Sequence, residues 1–137
     1  MKNYIEKVRD FQKTFGQPIQ DRPDGIPGLA VTDMRFDLLQ EELWEYAEAA
    51  DNKDQVEVAD ALVDIAYVLF GAVNEMGMHN IFEDMFNEVH RSNMSKAGAD
   101  GKPIYREDGK ILKGPNYSPP NLEKFLNKDA NQLEMKL

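Results

Sequence analysis

Cysteine is absent from the 137 residues. That removes a disulfide scaffold, a thiolate zinc site, an iron–sulfur cluster and a cysteine nucleophile together. Histidine is scarce: His79 and His90 stand apart, and neither has the Glu-x-x-His spacing of a di-iron helical bundle. Long apolar runs are also missing. The longest, Ala61 to Val73, carries Asp64 and falls short of the roughly 20 residues a bilayer span needs. The N-terminal MKNYIEKVRDFQK alternates charged and apolar residues, so it does not read as a secretory leader. Basic residues are outnumbered, 16 against 25 acidic, giving a net charge of −9. Such a chain is poorly suited to a nucleic-acid polymer, whose phosphates call for clustered Lys and Arg. The expectation is a cytoplasmic protein without a membrane partner, and the length suits one domain over residues 1–137.

The charge is unevenly placed. Between Asp33 and Asp64 eleven acids face only Arg35 and Lys53, so this segment alone carries −9. From Val89 to Ser118 the balance reverses, six Lys or Arg against three acids. One region is built to attract cations and another to attract anions.

Apolar residues recur at helical spacing through Tyr4, Ile5, Val8, Phe11 and Phe15, and Gly16 and Pro18 end that pattern. Three prolines and two glycines between Gln17 and Gly28 predict a loop. Two long helices follow, one from Leu29 or Thr32 to Ala50, the other from about Gln55 to Met76, closed by Gly77. A shorter helix is expected over Asn80–Asn93. Beyond residue 96 four glycines and four prolines break regular structure. A hairpin pairing Ile104–Tyr105 with Ile111–Leu112, a helical turn over Leu122–Leu126 and a frayed last ten residues complete the expectation. The fold class is all-α: a bundle of four to five helices over about 3–96, with an extended, irregular C-terminal arm over about 97–137.

The two long helices carry the chemistry. Glu42 and Glu45 share one stripe of the first, with Glu41 one turn before Glu45. Glu57, Asp60 and Asp64 form a stripe on the second, within a sequence apolar nearly all round, so that helix is expected to be largely buried. A short break makes the helices antiparallel neighbours, and Glu42 and Glu45 can then meet Glu57 and Asp60. Acids at such spacings are more often a solvated face than a metal site. Here i,i+4 basic partners are almost absent, which is wrong for a salt-bridged surface. Converging carboxylates need a compensating cation, and all-oxygen ligation favours Mg²⁺ or Mn²⁺.

EELWE, with Glu41, Glu42 and Glu45, followed by EVAD, Glu57 to Asp60, resembles the paired motifs of the MazG-like all-α nucleoside triphosphate pyrophosphohydrolases. The stretches EVADALVDIAYVLFGAVNEMG and EVHRSNMSKAGADGKPIYREDGKILKGPNYSPP are similar to its phosphoribosyl-ATP pyrophosphohydrolase-like subgroup. The resemblance covers roughly residues 3 to 122 and implies hydrolysis of an NTP or dNTP between the α and β phosphates. It further implies Mg²⁺ held by Glu42, Glu45, Glu57 and Asp60, with Glu41 as general base or a further ligand. Asp64 would bind metal indirectly or hold a ligand in place. Asn93 would contact the nucleotide, and Lys96, Arg91 and Lys113 its phosphates, whereas Lys102, Arg106 and Lys110 read as solvated charges. Tyr67 is expected in the core, and Trp44 is open between core and base stacking. The family's assemblies imply a homodimer or homotetramer. Two alternatives stand: the same chemistry on phosphoribosyl-ATP, and a non-catalytic acidic helical module that binds a partner protein.

Overall fold

A computed structural model describes residues 1–126. The described residues are all-α apart from one isolated antiparallel bridge, Tyr105 with Ile111. Four helices occur in chain order: α1, Lys2–Thr14; α2, Leu29–Asp51; α3, Gln55–Glu75; and α4, Phe82–Met94. A further helical turn covers 123–126, and the bridge lies where the hairpin is expected. The expected frayed tail, the last ten residues, lies outside the described residues. The chain divides into two compact units, Met1–Asn80 and Ile81–Leu137.

In the first unit, α3 packs against both α1 and α2. Helix α1 buries Ile5, Val8, Arg9 and Gln12, an i, i+3, i+4, i+7 stripe. It stops where Gly16 takes a positive φ of 65°, a conformation open to glycine because it lacks Cβ. The turn between α2 and α3 is only three residues long, so the helices run antiparallel. Asp54 caps α3 by accepting the Glu57 N–H at 3.1 Å. At the far end Gly77 has φ 67°, and a Cβ there would collide with the Arg22 backbone.

Polar side chains knit the far end of α3 to its neighbours. Gln12 donates to the Gly71 carbonyl at 3.1 Å, and Asn74 donates to Gln12 at 2.9 Å and to the Ile5 carbonyl at 3.2 Å. Arg9 pairs with Asp21 at 2.7 Å. Arg35 on α2 reaches a buried ion pair with Glu75 and donates to the Val68 carbonyl at 3.3 Å. It passes directly over Gly71, where an added Cβ would lie 2.5 Å from its Nη1.

The expected burial of α3 is overturned. Leu62 is 51% exposed and Val63 65%, because α1 and α2 together cover less than the helix's full circumference. Only Ala61 and the C-terminal Gly71, Val73, Asn74 and Glu75 are buried. Tyr67 sits half out, edge-on to Phe11 at 5.6 Å, so it lines the rim of the core.

In the second unit, Met85 and Ser92 of α4 are buried. Glu88 takes two bonds from Arg91, at 3.0 and 2.9 Å, and the Asn121 N–H at 3.1 Å. These donors, Arg91 foremost, lower its carboxyl pKa to about 2.

Two predictions follow from these bonds. Arg35→Met should cost about 3 kcal/mol in urea unfolding, because it strands a buried carboxylate, and adding Glu75→Leu should recover most of that loss. Because the folded pKa of Glu88 lies below its ordinary value of 4.5, its stabilising contribution is full above that value and lost as pH falls towards 2. A carbon-detected NMR titration of Glu88 should show a midpoint near 2.

Candidate metal centre

Packing of α2 on α3 sets the geometry of the acidic residues. Ala49 and Ala61 are buried, 6% and 2% exposed, and residues this small let the two helices approach closely. Glu42, Glu45 and Asp64 thereby each offer an oxygen within 4.8 Å of the others. Glu42 and Asp64 are half-buried, whereas Glu45 is exposed.

The electrostatics are those of an uncompensated cluster. Burial raises the Glu42 pKa first, and the Glu45, Asp64 and Glu41 charges raise it further, as does a hydrogen bond with Glu45. Burial also raises that of Asp64, with Asp60 and Glu45 adding to the effect. Among the described residues, no ion pair involves Glu42, Glu45 or Asp64. The Glu42 Oε2 atom is buried without a partner. Glu75 Oε2 and Asn74 Oδ1 are likewise orphaned, but Glu75 has Arg35 on its other oxygen and Asn74 donates twice. The charges acting on Glu42 are those of the acids Glu45, Asp64 and Glu41. A hard divalent cation fits this donor set: three carboxylates, one with a buried oxygen lacking a hydrogen-bond donor.

The remaining residues fall around this trio. Glu57 lies with Glu45 in a polar groove of about 350 Å³, also lined by Glu48, Ala49, Asn52 and Asp54. Asp60 acts on Asp64 through its charge and is exposed, as is Glu41 beside Glu42. The spacing of Glu48, three residues after Glu45, was the signal available for its place in this groove. Trp44 is 69% exposed and so lies outside the core.

The second-unit residues stand in their own surroundings. Asn93 is exposed on the last turn of α4, and Lys96 is half-buried just beyond it. Lys113 lies over the Tyr117 ring, 4.6 Å from its centre. Arg91 is engaged with Glu88. Arg106 pairs with Asp108, while Lys102 and Lys110 are exposed.

A paired-helix fold that gathers carboxylates in this way fits the metal-assisted hydrolases of phosphoric anhydrides. Residues 8–93 match the family model of phosphoribosyl-ATP pyrophosphohydrolase, and the chain belongs to that family. Its chemistry is pyrophosphohydrolysis of a nucleotide. A crystal structure of a candidate NTP pyrophosphohydrolase from Exiguobacterium sp. 255-15 is 25% identical, covering 98% of each chain with a TM-score of 0.32. Comparison with curated proteins gives no match. Among the described residues, no helix is long and apolar enough to cross a membrane.

If the trio is a cation site, neutralising one member should have opposite effects with and without metal. Glu42→Gln and Asp64→Asn should each raise metal-free stability by about 1 kcal/mol, or a melting temperature by about 3 °C. Each should also abolish the rise in melting temperature that millimolar Mg²⁺ produces in the parent protein. Calorimetry of the variants with and without Mg²⁺ checks both signs.

Proposed function

We propose that the chain is a Mg²⁺-dependent nucleoside triphosphate pyrophosphohydrolase. It would cleave a (d)NTP between the α and β phosphates, releasing a (d)NMP and pyrophosphate. The observation that carries this reading is the uncompensated trio of Glu42, Glu45 and Asp64 with its orphaned oxygen. In this reading Glu42 and Glu45 hold the cation with Glu57 and Asp60, and Asp64 binds it or fixes a ligand in place. Mg²⁺, or Mn²⁺ in its stead, supplies charge neutralisation at the phosphates and a more acidic bound water.

The chain's own groups do the rest. Glu41, exposed beside Glu42, accepts a proton from the attacking water. The water oxygen bonds to phosphorus, the bridging P–O bond breaks, and the bridging electrons leave with pyrophosphate. Asn93 serves the nucleotide, and Lys96 and Lys113 serve its phosphates. A homodimer or homotetramer is supported by exposed apolar residues at seven-residue intervals on α2, Leu29, Phe36 and Leu43.

The second reading, hydrolysis of phosphoribosyl-ATP, is favoured by the description of the matching family itself. A panel of NTPs, dNTPs and phosphoribosyl-ATP with Mg²⁺, resolved by chromatography, separates the readings. Monophosphate and pyrophosphate are expected, with turnover lowered roughly 100-fold or more in Glu45→Gln. Diphosphate and phosphate would place the cleavage elsewhere. Turnover of phosphoribosyl-ATP alone would select the second reading, and no turnover at all would favour an acidic binding module.

A further inference from the structure

The C-terminal arm returns along α4 in reverse, one bond after another. The Gly114 N–H donates to the Lys96 carbonyl at 2.9 Å, and the Ser118 N–H to Ser95 Oγ at 2.9 Å. Arg91 Nη2 donates to the Pro119 carbonyl at 3.2 Å, and the Asn121 N–H to Glu88 at 3.1 Å. Glu88 and Arg91 of α4 and its C-cap Ser95 are spaced i, i+3, i+7, so three of these four bonds are made along a single stripe.

Two features make this a built attachment. At Gly114 a Cβ would overlap the Ala97 carbonyl and crowd that of Lys96, so the arm meets the end of α4 only because that residue lacks one. The Nε and Nη2 edge of Arg91, the fork that would grip a phosphate, is already closed on the Glu88 carboxylate. The same contacts bring Lys113, next to Gly114, back to the backbone of Lys96, 17 positions earlier in the chain.

We propose that Glu88, Arg91 and Ser95 form a clasp for the arm, and that Arg91 is a positioning residue. Arg91 serves the reaction by holding the arm, which keeps Lys113 at the end of α4 near Lys96; it does not grip phosphate itself. The kinetic part of this inference rests on the pyrophosphohydrolase reading, whereas the clasp itself does not.

The test uses the full chain with Glu88→Ala, Arg91→Ala, the double variant and Gly114→Ala, with helix content checked by circular dichroism. Gly114→Ala opens the clasp without altering any charge. Amide exchange at Ser118 and Asn121 should accelerate about tenfold in every variant. The KM for the triphosphate turned over fastest should rise by a common factor, with the double variant no worse than either single one. Slow exchange retained in Glu88→Ala would overturn the clasp. Arg91 would instead be a direct phosphate ligand if Glu88→Ala lowered KM by freeing it, or if the two single effects multiplied. Absence of turnover in the parent protein would count against the pyrophosphohydrolase reading, and exchange would still decide the clasp.

Discussion

Repulsion among carboxylates pressed together by helix packing is the constraint around which the first unit is arranged. Apolar and small residues drive α2 onto α3, and Ala49 and Ala61 are buried as a result. The same closure draws Glu42, Glu45 and Asp64 within 4.8 Å of one another. Ionised together, these groups oppose the packing that assembled them, and burial raises the cost further for Glu42 and Asp64. Packing energy gathered elsewhere along α2 and α3 therefore sustains a local arrangement that is unfavourable by itself and that a bound cation would relieve.

The opposite end of the same helix pair is organised differently. There the buried acid Glu75 meets Arg35, and the buried amides of Gln12 and Asn74 bond to each other and to backbone carbonyls. Removing one member of such a network strands its partner, which costs more than the bond itself contributes. One end of the pair is thus a satisfied polar anchor and the other an unsatisfied acidic cluster. This contrast makes the cluster chemically conspicuous, because acids exposed to water on a free helix would carry no such strain.

In the second unit charge does a different task. The basic excess between Val89 and Ser118 is partly spent on internal pairs, Arg91 with Glu88 and Arg106 with Asp108. Lys96 and Lys113 have no acid in the ion pairs among the described residues, and the arm's return leaves their backbones close together. A surplus of positive charge in the sequence is therefore a poor guide to which cations are available to a ligand. The pairing geometry decides that.

Local rules made the helices legible from the sequence. Apolar spacing and the stops at Gly16, Pro18 and Gly77 act over a few residues, and the helix limits accordingly lie within about two residues of expectation. The acidic stripes were legible for the same reason, since a helix places i, i+3 and i+7 on one face whatever surrounds it. What could not be read was the relative rotation and register of α2 and α3. Those depend on how whole faces interlock, and they put Asp64 in the trio with Glu42 and Glu45, and Glu57 in the adjoining groove. The exposure of Leu62 and Val63 was hidden likewise, because hydrophobicity records a tendency to be covered and not the number of neighbours available. Arg35 with Glu75, and Arg91 with the arm at Pro119, join residues 40 and 28 positions apart. Sequence alone determined the elements and the residues with chemical capacity; tertiary structure decided which charges meet, because that choice is made by long-range packing and not by neighbours along the chain.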